Sequence, residues 1–443
     1  MSKPGRISFS AAVLMSMNIM VGAGILGLPT DMARISGSLS YVGWILVALL
    51  VFPVVWSMAQ VGTAFPGGAG VYHYAKTGLN KTAGFFAHLT YTLGYFGTVA
   101  VLITFLARSF VAQLGWMFPV DHPLLFNMVM LTVFSLLNLL DIKLISRIQS
   151  GATVLKLVPL FVVIFLFAFY WNGSELTNFT SQDVASLPAL IPIALFGFWG
   201  LEAACTIGHL LKDGAESVGR VILTAFSCVV ALYVLFHFGL VHIMGGVALA
   251  EYGVIGFPTF MGLSPAMAKL IQSGISASII FSFMNSVFGL CLANVSNIEL
   301  LAKNNLVFGS KTLTKMNRYD RPAMTVLFYA IILWLLMYLI PSLEAMVGLT
   351  NMGVTGGFVF ILLALLNTFY KKKQFGRFAM TVLGFMSCCM LIYFSWMSIA
   401  PTVMMRFVYV SPLIIGLIAG GVMYYMLNGK KALKGQTDMP EIT

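Results

Sequence analysis

Residues 18–29 read "NIMVGAGILGLP" and lie inside an apolar run that begins at Phe9. Glycine in a helix interior costs about 1 kcal/mol relative to alanine. Here two glycines flank one alanine, as Gly22, Ala23 and Gly24. Two structures account for such a stretch. Small residues let neighbouring membrane helices touch closely. Alternatively, the helix is interrupted at its midpoint, leaving free backbone N–H groups and a half-helix N-terminus that suit an anion such as a carboxylate. Unwound backbone inside hydrocarbon is tolerated only where it lines a cavity or meets protein, so the second structure brings a binding site with it. These residues alone leave both open.

The rest of the chain sets the context. Of 443 residues, 59% are hydrophobic and 9% charged, whereas soluble domains are about one quarter charged. A bilayer core roughly 30 Å thick takes about 20 apolar residues per helix. Twelve runs meet that demand, at about 9–34, 39–63, 82–108, 122–140, 149–171, 186–208, 219–246, 268–302, 322–341, 343–370, 377–398 and 403–427. The stretch 247–267 reads as room for a short interfacial helix, because Ser264 followed by Pro265 has the form of a helix start. No connection is long enough for a soluble domain, and no A-x-A-like cleavage site follows the first run, which reads as a retained helix. The expectation is an all-α integral membrane protein forming one transmembrane domain.

Lysine and arginine orient it. With a cytoplasmic N-terminus, 20 of the 25 fall in internal loops; Arg34, Arg108, Lys269 and Arg406 are external, and Lys156 stays in the membrane. That bias places both termini in the cytoplasm. It also explains the net charge of +11 without nucleic acid, since "YKKKQFGR" reads as a loop facing anionic lipid. The five cysteines (Cys205, Cys228, Cys291, Cys388 and Cys389) sit in apolar segments without ligand spacing and read as small buried hydrophobes. The six histidines do not cluster. No metal site, cofactor fingerprint or nucleophile motif is legible, so an enzyme has no support.

Three further features carry chemistry. The stretch "ALFGFWGLEAACTIGHLLKD", Ala194 to Asp213, has glycines at 197 and 200 and an acid at Glu202. Lys212 is ten residues beyond Glu202, about 15 Å along a helix. A carboxylate this deep costs roughly 2.5–3.5 kcal/mol to insert. It reads as a proton site or a counter-charge for a cation; a protonated acid bonded to a neighbouring helix is the plainer alternative. Lys156 lies nine residues past Arg147, about 13 Å along the helix, too deep to snorkel comfortably. It reads as a proton-exchanging amine, a substitute for a monovalent cation, or a strut on broken-helix carbonyls. Phe196, Phe198, Trp199 and Tyr91 could gate a ligand or stack on a cation, although lipid-facing or core packing is the better account of any one of them. Interrupted helices in the first and sixth positions point to a five-plus-five inverted repeat with its site at the midplane. The repeats would span about 9–171 and 186–370, with two extra helices at 377–427 and a tail at 428–443.

The chain resembles the amino acid–polyamine–organocation (APC) superfamily, and within it the basic amino acid/polyamine antiporters, over nearly its whole length. The residues that carry this are "GAGILGLP" (Gly22 to Pro29), "FPGGAGVYHYAK" (Phe65 to Lys76), "NLLDIKLISRIQSGATVLKLVPL" (Asn138 to Leu160) and "FWGLEAA" (Phe198 to Ala204). The resemblance implies the LeuT-like fold and alternating access. It implies that backbone at Gly22, Ala23 and Gly24 takes a substrate carboxylate, and that carbonyls around Met20 and Phe196 take the α-amino group. Phe196 and Trp199 would be gate and pocket residues, Tyr91 would close the site, and Glu202 would be tied to basic substrates and proton sensing. The chain departs from the family at three places. Asn18 stands four residues before Gly22 instead of three, Leu290 replaces an eighth-helix aromatic gate, and "DGAESVG" (Asp213 to Gly219) lacks two family prolines. Lys156 resembles instead the helix-five lysine of sodium-independent, proton-coupled amino acid transporters.

The expected function is secondary transport across a bacterial-type inner membrane. Exchange of a cationic amino acid, its amine or a polyamine is the first choice, with Lys156 and Glu202 coupling protons or cations. Proton-coupled symport of neutral amino acids is the alternative within transport. A non-transporting sensor on the same bundle is the alternative of another class. The expected partners are a small amino acid or amine, the lipid bilayer and protons. Dimers occur in the family, so a homodimer is compatible with the resemblance, but no interface is legible.

Overall fold

The computed structural model describes residues 8–66, 68, 70–141, 160–169, 179–202, 205, 211 and 217–432. Among them the chain is helical, with no strand; an isolated bridge joins Met316 and Pro322. The principal helices are α1 (Phe9–Met20), α2 (Ala23–Ser36), α3 (Val42–Met58), α4 (Val71–Gly78), α5 (Lys81–Leu114), α6 (Pro123–Asn138), α7 (Leu190–Phe196), α8 (Val218–Met244), α9 (Pro265–Lys303), α10 (Ala323–Leu339), α11 (Leu343–Lys371), α12 (Phe375–Ser398) and α13 (Val403–Ala432). Among the described residues, seven helical stretches are long and apolar enough to cross a membrane, and α1 with α2 makes a further pair bent by 43°.

Helix ends follow local chemistry. Asn80 caps α5 by accepting the Ala83 N–H at 2.8 Å, which satisfies one of the orphan donors of a first turn. The same helix runs past the expected limit at Arg108 and stops at Gly115, which takes a left-handed φ of +63°. Arg108 does not end the helix because its guanidinium is bonded to Asp31 of α2 at 3.2 Å. Asp31 also holds Arg34 at 2.8 Å.

The centre of the bundle is α5 against α11. They cross at Gly94 and Gly353, where a Cβ on Gly94 would come within 2.6 Å of the Val354 nitrogen. In the absence of a hydrophobic force between membrane helices, close contact of this kind holds them together. The most apolar window of α11 is 67% buried, against 11% for α13, so α11 is central and α13 peripheral. Large apolar side chains such as Phe52, Phe165, Met404 and Tyr425 point outward. A surface of that kind is stable in lipid rather than water.

Two expectations need correction. Ser264 does begin a helix, its hydroxyl accepting from Met267 N, but that helix is α9 itself, continuous from Pro265 to Lys303. The stretch does hold short helices, as expected, but they lie before Ser264, at Gly246–Tyr252 and Val254–Phe260, set off by Gly245 and Gly253 at φ +81° and +68°. Of the five cysteines, Cys205, Cys291 and Cys388 are buried but Cys228 and Cys389 are exposed. Lipid accepts a thiol as readily as a core does, so apolar surroundings in sequence do not establish burial. The fifth expected span, 149–171, falls largely outside the described residues.

Candidate functional site

The chain breaks at both glycine-marked positions. At the end of α1, the Val21 N–H donates to the Met17 carbonyl and the Gly22 N–H to the Met20 carbonyl, each at 2.7 Å. Val21 then leaves helical geometry at ψ 71°, Gly22 is nearly extended, and α2 begins at Ala23. The first N–H groups of a helix have no partner within it. In the second break, α7 ends at Phe196 and residues 197–202 form turns. Gly200 sits at φ +106°, a region that disfavours a Cβ. The two breaks touch: a Cβ on Gly24 would lie 2.9 Å from the Gly197 Cα.

A scaffold behind them fixes this contact. The Tyr233 hydroxyl is 2.6 Å from the Met20 carbonyl and 2.9 Å from the Gly197 carbonyl, one from each break. Its single hydrogen serves two acceptors that no longer have a helical partner. Tyr233 packs edge-on against Trp44. The Trp44 indole N–H donates to His237 Nδ1 at 2.9 Å, and His237 Nε2 lies 3.0 Å from the Ser40 hydroxyl. Indole only donates, so Nδ1 is the acceptor and Nε2 carries the proton of the neutral ring. Tyr233→Phe leaves the Gly197 carbonyl unbonded and the Met20 carbonyl with the Gly22 N–H alone, at a cost of about 1–3 kcal/mol. The expected result is an apparent substrate affinity lower by roughly tenfold or more, read as a raised KM with an unchanged amount of protein in the membrane.

The breaks enclose a cavity of about 240 Å³. Met20, Gly22, Gly24, Phe196 and Trp199, all singled out in the sequence, line it; Asn18 does too, despite its register. Leu290 lines it as well. Ala23 opens α2 between the two lining glycines. Trp199 is held by Asn351 of α11: the indole N–H donates to Asn351 Oδ1 at 2.6 Å, and Asn351 Nδ2 donates to the Pro192 carbonyl at 2.7 Å. None of the described residues lining this cavity is charged.

Glu202 lies beyond one wall. It is buried, and three donors converge on it: the Tyr91 hydroxyl at 2.6 Å and the Tyr95 hydroxyl on Oε1, and the Gly200 N–H at 3.2 Å on Oε2. Tyr95 lines the first cavity, while Tyr91 and Glu202 line a second of about 380 Å³. Tyr91, Glu202 and Tyr95 therefore form a hydrogen-bonded partition between two chambers. The second chamber opens among Gly70, Tyr72 and Tyr74 beside α4. Lys156 lies outside the described residues. No group of three or more metal-ligating side chains occurs among the described residues.

Sequence reading missed Tyr95, Tyr233 and Asn351. Tyr95 had a signal, since it stands four residues after Tyr91 on the same helical face. Tyr233 and Asn351 had none, because their partners come from distant segments.

The model of the amino acid permease family matches residues 7–424. The chain belongs to that family, within the APC superfamily of transporters. The serine/threonine exchanger SteT of Bacillus subtilis is 22% identical over 82% of each chain. The arginine/ornithine antiporter of Latilactobacillus sakei is 23% identical over 69% of this chain and 66% of its own length. The putrescine transporter PotE of Haemophilus influenzae is 24% identical over about half of each chain, 53% here and 54% there. These relatives are transporters and exchangers. Together with the apolar helices they make this permease a multi-pass membrane protein.

Proposed function

We propose that this permease is an exchanger of cationic amino acids and their amines, working by alternating access. The observation that carries the reading is the cavity at the junction of two broken helices, separated from a second chamber by a buried carboxylate and two phenols. Unpaired N–H groups at the start of α2 suit a carboxylate, and the carbonyls of Met20 and Phe196 suit an α-amino group. Phe196 and Trp199 then act as pocket and gate, and Tyr91 closes the partition. A side-chain ammonium or guanidinium that reaches past Tyr95 meets Glu202, the charge it needs. The wider frame is one domain of twelve spans in a LeuT-like five-plus-five repeat. It sits in the inner membrane with both termini cytoplasmic, which makes the α4 end cytoplasmic and the Asp31–Arg108 end external.

The likeness to a serine/threonine exchanger, with the absence of charge among the described lining residues, favours a second reading, transport of neutral amino acids. Lys156 then serves as the proton-coupling group. A competition panel in proteoliposomes at two pH values separates them. Arginine, lysine, ornithine, agmatine and putrescine are expected to compete, with serine and threonine weak; the reverse order supports neutral transport. A Lys156→Ala variant is expected to lose the pH dependence of flux, and an unchanged profile would leave Lys156 as a strut.

A further inference from the structure

The second chamber has its own polar equipment, apart from the partition. His88, one turn before Tyr91 on α5, is buried and lines the chamber. Its Nε2 lies 2.9 Å from the Asn297 backbone carbonyl, which can only accept. Nε2 must therefore carry the ring proton, and neutral His88 presents Nδ1 as an acceptor. Nδ1 is buried and has no partner. An orphaned buried acceptor is costly and calls for an explanation. The imidazole lies between two rings, Tyr72 edge-on and Tyr91 nearly parallel, both with centroids 6.4 Å away. Burial, reinforced by Tyr424, raises the Tyr72 phenol above its ordinary range, so it stays a neutral aromatic ring. Glu202 lines the same space. Its two oxygens offer about four lone-pair sites, and three donors occupy it. No lysine or arginine is among the described lining residues.

An acceptor without a donor, a carboxylate with spare capacity and two aromatic faces make up the inventory of an ammonium site. We infer that this chamber is a second binding site, separate from the central cavity, for the primary ammonium group of an amine or basic amino acid. His88 Nδ1 and Glu202 accept its hydrogens, and Tyr72 and Tyr91 supply the faces. The site rests on the cationic reading above, and it would hold the amine on the α4 side of the partition before or after passage.

Equilibrium dialysis of the purified full-length chain against radiolabelled putrescine tests it. The wild type is expected to saturate at about two putrescines per chain. His88→Leu keeps the apolar bulk and removes the Nδ1 acceptor, with the Asn297 bond lost alongside it, and is expected to bind about one. Tyr72→Leu keeps the burial and loses the face, which weakens the second site about tenfold. Gly24→Val, which fills the central cavity, is expected to retain the chamber site alone. A wild type that binds one putrescine yet exchanges it overturns the chamber site and leaves the transport reading intact. So does a His88→Leu protein that keeps both sites. A wild type that neither binds nor moves putrescine overturns both.

Discussion

A Gly24→Val substitution is expected to reduce binding at the central cavity and exchange flux by at least about 100-fold, a loss of about 2.7 kcal/mol. Even the first carbon of the new side chain would lie 2.9 Å from the Gly197 Cα. That neighbour is backbone and cannot swing aside. The two branches beyond it must enter the cavity or drive the breaks apart, and either removes the place where a carboxylate would meet the start of α2. Overpacking of this kind strains its surroundings by about 1–3 kcal/mol in well-packed interiors, so folding must be checked separately. Gly274 on α9 supplies the control, since a Cβ there meets nothing within 4 Å. Gly274→Val should transport as the wild type does. If Gly24→Val also transports normally, the contact between the breaks does not shape the site.

Glu202→Gln should produce the next largest effect, and an asymmetric one. The carboxylate accepts from Tyr91, Tyr95 and the Gly200 N–H. An amide replaces one accepting oxygen with an NH₂ group. Whichever way it is turned, a donor then faces either the Gly200 N–H or the phenols. Hydrogen bonds to charged groups are worth about 1.5–3 kcal/mol, or roughly 10–100-fold in an equilibrium. Loss of the partition affects every substrate, while loss of the negative charge affects only cations. Flux of arginine or putrescine should therefore fall about tenfold further than flux of serine. An equal loss for both would limit Glu202 to holding the partition shut.

Much of this was legible in the sequence, for identifiable reasons. Glycines at 22, 24, 197 and 200 pointed to the breaks only as two matching interruptions beside Glu202 and the family motifs, because close helix packing, as at Gly94 and Gly353, also places glycine mid-helix. Glu202 stood out because a buried acid is rare at that depth. What could not be read was partnership. The Tyr233 bond to Met20 spans 213 residues and the Trp199 bond to Asn351 spans 152, and no local pattern encodes either. A tyrosine or asparagine in an apolar run looks like packing until its neighbour is known. Inside and outside were also indistinct, as Cys228 and Cys389 show, because the lipid-facing surface is as apolar as the core. In the sequence Glu202 reads as a counter-charge within reach of the substrate; in the structure it stands behind Tyr95, in contact with the second chamber.

The most direct test of the central claim is counterflow in proteoliposomes. Vesicles preloaded with unlabelled arginine or putrescine, and matched empty vesicles, would be given the labelled compound outside. The account predicts rapid uptake into the preloaded vesicles, little into the empty ones, and none with Gly24→Val. Uptake independent of internal substrate, or uptake of serine and threonine with no movement of the cationic compounds, would contradict it.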